Sequence, residues 1–423
     1  MKNFSHSARH KSSVRRSRTI KFFTLGCKAN QYDTQSIRER FITKGFQESV
    51  NSKLPDYFLV NTCTVTSGAD QKSRNIIRRC IQANPKAKII VTGCLVENDW
   101  QSLTNIKGIN LVIKKSFFPE GISSFSQHSR AFLKVQDGCG NLCTYCKVAL
   151  VRGKERSRNL KEIVNEARKL VACGYKEIVL TGICLGAYGR GFRPQKNLVD
   201  VIDALEKIDG LSRIRLSSIE PQDVSSLLIE RLKDSKKICR HLHIPLQSGD
   251  DFILKMMNRN YTSRQYSDLI SSLKSSILQL SITTDCLVGF PGEKESNFQK
   301  TVDLIKEINP LKVHVFAYSR RAGTKAANFD GSVKPQVTKD RCRRLGDIAR
   351  NCRVNFMRRF LKKNVSVLIE GRSKHDPGFL EGLTDNYLQV KLPFKPGLRN
   401  RIVRVRIRRI VADSLTGEYV DNS

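Results

Sequence analysis

Acidic residues are scarce: 39 Asp and Glu face 75 Lys and Arg, leaving a formal net charge of +36 over 423 residues. That imbalance favours a polyanionic partner. Long apolar runs are missing as well. The amino terminus has no uninterrupted stretch of signal-peptide or membrane-span length, and no basic amphipathic helix or lipidation signal stands out, so no membrane partner is expected. The 13 cysteines are an odd number, and 39% hydrophobic residues suffice for real cores, so disulfide dependence is not expected. Free or metal-bound thiols in a reducing cytoplasm fit better. No internal repeat appears, and the length points to two or three ordinary domains.

Residues 1–19, MKNFSHSARHKSSVRRSRT, carry Lys2, Arg9, Lys11, Arg15, Arg16 and Arg18 without any acid, and read as a disordered basic arm. Short strands and helices then alternate over residues 20–118. KFFTL leads into a helix through Arg38, DYFLV into one around Ile76, KIIVT into one near Trp100, and INLVI closes a small parallel sheet of flavodoxin-like type. Cys27, Cys63 and Cys94 each lie just past one of the first three strands. Carboxyl ends of parallel strands line one edge, where ligands collect, so these cysteines are expected to converge there. The competing reading is three buried small residues.

Over residues 125–357 a strand–helix unit recurs six times, with strands AFLKV, KEIVL, RIRLS, HLHIPL, ITTDCLV and KVHVFAY. In LKEIVNEARKLVACG, Leu160, Ile163, Val164, Ala167, Leu170 and Val171 share one helical face, and Gly174 is a natural stop. The pattern predicts an α/β fold with a partial TIM-type (β/α)6 barrel, its chemistry at the carboxyl ends of the strands. Residues 358–423 alternate instead with period two, in VSVLIEG, NYLQVKL and RIVRVRIRRIV, as in a small β-barrel. Arg404, Arg406 and Arg408 share a face of what reads as the last strand. With Arg399, Arg401 and Arg409 they form a stripe suited to a phosphate backbone, or a charged edge that discourages aggregation.

The stretch GCGNLCTYC places Cys139, Cys143 and Cys146 just after the first barrel strand, with no fourth cysteine in the motif. A structural zinc site takes four protein ligands, often as two CxxC pairs, and no second pair follows. Thiolates also select iron–sulfur clusters, and a cubane held by three cysteines leaves one iron open to a substrate or cofactor.

The CxxxCxxC spacing resembles the signature of the radical S-adenosylmethionine enzymes. In order, TLGCKANQYD, VNTCTVT, VTGC, DGCGNLCTYC, LTGICLGAYG, RLSSIEP, HIPLQSGDD, TTDCLVGFPGE and VFAYSRRAGT resemble the methylthiotransferase family from Lys21 to the carboxyl terminus. TLGCKANQYD and YSRRAGT are similar to the branch that modifies N6-threonylcarbamoyladenosine beside the tRNA anticodon, and EGLTDNYLQVKL is similar to the RNA-binding TRAM domain.

The resemblance implies two 4Fe–4S clusters, one on Cys139, Cys143 and Cys146 and an auxiliary one on Cys27, Cys63 and Cys94, with S-adenosyl-L-methionine (SAM) as co-substrate. Reductive cleavage of SAM would give methionine and a 5′-deoxyadenosyl radical, the second cluster would carry the sulfur inserted at adenine C2, and a second SAM would give the methyl group. It further implies tRNA, an electron donor such as flavodoxin or ferredoxin, and a sulfur donor as partners of a monomer. Glu220 and the backbone around Thr181 and Gly182 match regions that hold the SAM ribose and amino group. Gln247 and Ser248 are expected to face the cofactor or merely cap a strand end, and Gly289, in VGFPGE, to turn against the adenine or make a plain turn. Arg152, Arg156 and Arg158 offer forked donors for the threonyl carboxylate, or form a solvated charged turn. His241, His243 and His314 read as satisfied barrel residues, since no metal spacing groups them. Cys80, Cys173, Cys184, Cys239, Cys286, Cys342 and Cys352 read as small apolar residues. CKVALVRG and FAYSRRAGT lack prolines usual in the family, which bears on loop rigidity. Sister readings change the substrate to isopentenyladenosine in tRNA or to a ribosomal-protein aspartate. A non-catalytic iron–sulfur RNA-binding regulator is the reading of another class, opposed by the missing fourth ligand in both triads.

Overall fold

A computed structural model describes residues 18–49, 54–115, 121–125 and 128–420. The basic arm expected over residues 1–19 thus lies, up to Ser17, outside the described residues. The first unit is a five-stranded parallel sheet, made of β1 (Thr19–Thr24), β2 (Gln47–Glu48), β3 (Tyr57–Thr62), β4 (Lys88–Gly93) and β5 (Leu111–Val112). Its order β2-β1-β3-β4-β5 is the flavodoxin-like one. The two-residue edge strand β2 carries too little pattern to be seen in sequence. Helices α1 (Lys28–Thr43), α2 (Ser67–Ala83), α3 (Cys94–Asn98) and α4 (Trp100–Thr104) complete the unit.

The second unit begins with β6 (Arg130–Lys134), a short antiparallel pair β7 (Gln136–Asp137) and β8 (Arg156–Ser157), and helix α5 (Val148–Arg152) between them. Strands β9 (Glu177–Thr181), β10 (Arg213–Leu216), β11 (His241–His243), β12 (Ser281–Val288) and β13 (Lys312–Ala317) follow, separated by helices from α6 (Leu160–Ala172) onward. They form two parallel three-stranded sheets, β10-β9-β6 and β11-β12-β13, joined edge to edge by the bridges Ile214–Ile238 and Ser218–His243. The six strands therefore make one open arc. In α6, Asn159 caps the Lys161 amide at 2.8 Å, and Ile163, Ala167 and Leu170 are wholly buried against the strands.

Strand alternation divides this arc. Ala131, Leu133, Ile178, Leu180, Ile214, Leu216, Leu242 and Ile282 pack under the helices in one apolar cluster. The opposite face carries Arg130, Glu177, Arg213, Arg215, His241, His243, Thr283, Asp285, Lys312 and His314, so the lumen is polar.

The third unit is a closed barrel of order β14-β15-β16-β18-β17, with β14 (Asn364–Arg372), β15 (Phe379–Thr384), β16 (Gln389–Pro393), β17 (Ile402–Val411) and β18 (Ser414–Tyr419). The arginine-rich strand is β17, and it is not the last strand: SLTGEY forms β18 and closes the barrel beside it.

Buried polar contacts join the three units. Asp33 on α1 binds Lys115 and, at 2.5 Å, the fully buried Lys134, which also reaches Asp137 at 3.1 Å. Arg152 holds the other oxygen of Asp137 at 2.7 Å. Against burial, which raises it, Lys134 and Arg152 keep the Asp137 carboxyl well below the usual range. The third unit plugs the amino-terminal end of the arc. Arg213 donates to the carbonyls of Leu383 and Ser366, Arg215 to those of Thr384 and Asp385, and Ser281 to that of Asn386, while the His241 ring stacks on Tyr387 at 4.3 Å. Among the described residues no helix is long and apolar enough to cross a membrane.

Candidate metal centres and reaction chamber

Cys63 and Cys94 follow β3 and β4 directly, and Cys27 follows β1 after Leu25 and Gly26. Glycines precede Cys27, Cys94 and Cys139 with φ of 97°, 102° and 75°, a left-handed conformation that turns each cysteine away from its strand. At Gly138 a side chain is also excluded by space, since a Cβ would lie 2.0 Å from the Lys154 carbonyl oxygen. Asn30, 1% exposed, ties the first triad together: its amide donates to the carbonyls of Leu25 and Thr62, and its oxygen accepts from Arg152 at 2.7 Å and lies 3.7 Å from the Cys94 thiol. Arg152 Nη2 also reaches Cys27 Sγ at 4.0 Å. Burial, with the neighbouring Cys94 and Cys27, pushes the Cys63 thiol up.

In the second triad the Cys139 amide donates to the Gly153 carbonyl, and that of Cys146 to the Cys143 carbonyl. Arg259 Nη1 lies 3.3 Å from Cys143 Sγ and its other arm pairs with Glu220. Burial raises the Cys143 thiol and pushes that of Cys146 up to about 12, whereas a hydrogen bond from the Cys184 thiol lowers Cys139. The single Cys184 proton is shared between Cys139 and the Asp223 carboxylate, 3.5 Å away, so its reading as a merely apolar residue is corrected. All 13 cysteines are free of disulfides. Soft thiol donors gathered this way fit iron–sulfur clusters, whose iron would hold them as thiolates despite burial.

The other expected site residues fall as follows. Thr181 is buried at the end of β9, and the Gly182 amide donates to Ser217 at 3.3 Å, while Gln136 accepts from the next two amides, of Ile183 and Cys184. Gln247 takes a left-handed φ of 68°, a strained conformation of the sort that functional sites retain. Ser248 is buried against Thr301 and the Asp250 amide, a local capping role. Gly289 donates its amide to Glu293 and sits so close to Thr338 that a Cβ would lie 2.4 Å away. Arg399, Arg401, Arg404, Arg406, Arg408 and Arg409 are all exposed, and Arg408 pairs with Glu418. Arg152 and Arg158 are not a solvated turn: both are buried, Arg158 against Glu166 and the Tyr32 hydroxyl.

Sequence spacing missed the lumen. His243 bonds Thr283 through Nδ1 at 2.9 Å and Asp285 through Nε2 at 3.2 Å, and ligand-type atoms of His243, Asp285 and His314 all lie within 4.8 Å of one another. Three separate strands supply them, so no local motif groups them. Lys28, one residue past Cys27, feels the charges of Tyr387, Arg130 and Arg215; burial and the two guanidiniums pull its ammonium below the usual lysine range.

Two family descriptions match the chain: Uncharacterized protein family UPF0004 over residues 19–114 and the Radical SAM superfamily over residues 133–305. The threonylcarbamoyladenosine tRNA methylthiotransferase MtaB of Bacillus subtilis (strain 168) is 35% identical, covering 95% of this chain and 96% of the relative. This chain belongs to the radical SAM methylthiotransferase family. The Chlamydia pneumoniae relative of the same name is 36% identical over 95% of this chain and 98% of its own length. A tRNA-2-methylthio-N(6)-dimethylallyladenosine synthase of Clostridium tetani (strain Massachusetts / E88) is 32% identical, covering 94% and 95%. Among solved structures, the radical S-adenosylmethionine methyltransferase TsrM of Kitasatospora setae superposes with a TM-score of 0.54 at 12% identity, covering 73% of this chain and 77% of that one, which shows the shared fold. As a radical SAM methylthiotransferase the chain is an enzyme that uses SAM and a 4Fe–4S cluster, and the reading as a non-catalytic regulator is set aside.

Proposed function

We propose that this methylthiotransferase converts N6-threonylcarbamoyladenosine next to the tRNA anticodon to its 2-methylthio derivative. The observation that carries the reading is the pair of cysteine triads at the carboxyl ends of the strands of two adjoining α/β units, Arg152 linking the loop after Cys146 to the sulfur of Cys27. Two relatives named for that substrate, 35% and 36% identical over 95% of the chain, favour it over dimethylallyladenosine. In this reading residues 20–118 carry the auxiliary cluster on Cys27, Cys63 and Cys94, residues 125–357 the SAM cluster on Cys139, Cys143 and Cys146, and residues 358–423 the RNA-binding barrel.

When bound, the clusters and SAM supply one-electron chemistry able to break an unactivated aromatic C–H bond. The chain's own residues position the reactants. Glu220, Gln247 and the backbone at Thr181 and Gly182 border the SAM site; Arg259 holds Glu220 and the Cys143 sulfur; the buried Arg152 fixes Cys27 relative to Asp137. Arg399, Arg401, Arg404, Arg406, Arg408 and Arg409 meet the tRNA backbone. A flavodoxin- or ferredoxin-type electron donor and a sulfur donor complete the cycle.

Nucleoside mass spectrometry of tRNA, from a host lacking its own methylthiotransferases and expressing this chain, tests the reading. A methylthio increment on threonylcarbamoyladenosine supports it; the same increment on dimethylallyladenosine alone overturns the substrate. Cys63→Ala should keep SAM cleavage and lose sulfur insertion, and retained insertion would sink the two-cluster assignment.

A further inference from the structure

Each of the three cysteine loops of the first unit is tied to the second unit by a different side chain. Arg152 reaches Cys27 Sγ at 4.0 Å, and Lys147, just past Cys146, donates to Asn98 in α3, the helix that Cys94 opens. Arg321 holds the loop after Cys63. Its Nη2 lies 3.0 Å from the Thr64 carbonyl oxygen, 2.9 Å from the Thr64 hydroxyl and 2.5 Å from the Asp70 carboxylate. Arg321 and Thr64 are both buried, and Ser319 adds a hydroxyl contact to Ser67 at 2.8 Å.

Arg152 and Lys147 belong to the segment that follows Cys146, whereas Arg321 comes from the loop after β13, the far edge strand of the arc. That loop also touches the second triad. The Ala326 amide donates at 2.9 Å to the carbonyl of Thr144, which stands between Cys143 and Cys146 and is itself pinned by the Met256 and Met257 carbonyls. Contacts within the loop stiffen the span between its two ends. Tyr318 donates to the Ala326 carbonyl at 2.9 Å, Arg320 Nε to that of Ala327 at 2.6 Å, and the Thr324 hydroxyl to that of Arg321 at 2.8 Å. The loop is a brace with one end on each triad, and a buried, charge-assisted contact secures its outer end.

We propose that Arg321 is a positioning residue that fixes the Cys63 corner of the auxiliary triad relative to the SAM triad, so that the radical formed at one cluster and the sulfur held at the other meet at a single carbon. The proposal rests on the two-cluster reading above. Arg321 acts through Thr64 and Asp70, not on the reactants themselves. A misplacement of about 1 Å can cost about a hundredfold in rate, so slack at this corner separates radical formation from sulfur insertion.

The test compares Arg321→Gln with the parent on the full chain, both clusters reconstituted anaerobically and matched for iron and sulfide, with threonylcarbamoyl anticodon stem-loop RNA as substrate. Two quantities are read: the dipolar coupling between the reduced clusters by EPR, and the ratio of 5′-deoxyadenosine to methylthiolated nucleoside. The ratio does not depend on how much protein is folded, because an unfolded molecule makes neither product. Arg321→Gln should weaken or broaden the coupling and raise the ratio by about tenfold or more while SAM cleavage continues. Radicals that miss C2 are then quenched by an electron from excess dithionite and a proton. Thr64→Val, which removes the hydroxyl acceptor alone, should shift both quantities the same way by less. An equal loss of both products, at unchanged ratio and coupling, would make Arg321 a merely stabilising residue and overturn the proposal. A shifted auxiliary-cluster potential at unchanged coupling would also overturn it, since that marks an electrostatic role. If the parent itself binds iron for a single cluster and shows no coupling, the two-cluster reading fails and the proposal with it; if the parent shows coupling and Arg321→Gln leaves coupling and ratio unmoved, only the proposal fails.

Discussion

Replacing Lys134 by Met removes a buried cation that binds one carboxylate from each of the first two units. Its ammonium is fully buried, 2.5 Å from Asp33 and 3.1 Å from Asp137, with the Tyr32 ring centroid at 5.6 Å. Breaking a buried ion pair by removing one partner costs about 3–5 kcal/mol, because the remaining charge is stranded. Here Asp33 keeps Lys115 and Asp137 keeps Arg152, which places the cost near the lower end. Unfolding entropy of about 2.1 cal/mol/K per residue, over a cooperative unit of roughly 350 residues, is about 0.7 kcal/mol/K. A loss of ~3 kcal/mol therefore lowers Tm by about 4 °C. Circular dichroism melts at pH 7 check the value, and Asp33→Asn in the same background should lower Tm further, because it strands the buried Lys115 ammonium that Asp33 still holds. A Lys134→Met protein melting within about 1 °C of the parent, or one stabilised by Asp33→Asn, would refute the electrostatic account.

Three further outcomes are expected. Arg259→Gln, which removes a positive hydrogen-bond donor from Cys143, should make the midpoint potential of the SAM cluster more negative in an EPR-monitored titration at unchanged iron content; an unmoved potential would confine Arg259 to holding Glu220. Arg404→Gln with Arg406→Gln should weaken tRNA binding and flatten its log–log salt dependence by about 1.4 to 1.8, since each lost phosphate contact is worth about 0.7 to 0.9. A steeper or unchanged slope would send the RNA elsewhere. The depressed Asp137 carboxyl contributes stability that is complete above about pH 5 and is lost as pH falls below the unfolded aspartate value of about 3.9. Asp137→Asn should therefore give a flatter fall of Tm from pH 5 to pH 3, and parallel curves would count against the linkage.

What sequence could reveal follows the range of each signal. Cys27, Cys63 and Cys94 were legible as a set because a strand end is a local pattern and parallel topology does the gathering. The barrel strands were legible from short β-branched runs, and the arginines of β17 from strict alternation. Hidden were features that depend on which elements face each other. Arg152 and Arg158 look like a charged turn until Asp137, Asn30 and Glu166 are placed around them. Cys184 gains a role only when its loop folds back on Cys139. The lumen set of His243, Asp285 and His314 is drawn from three strands, with no spacing to betray it. The strand β18 was missed because Ser414–Tyr419 has little hydrophobic alternation and is fixed chiefly by closure against β16 and β17.

The turn from Thr384 to Tyr387, where the carboxyl-terminal barrel enters the arc, makes the module proposed to hold RNA double as the floor of a chamber. Grip and interior are thus inherited as one casting. A chimera that exchanged residues 358–423 between relatives would import a new Tyr387 position along with new surface arginines, so any change in substrate preference after such an exchange has to be traced to the floor as well as to the hand. Deleting the module would do more than release the RNA: it would open the far end of the vessel to water, beneath the strands on which the radical chemistry is mounted.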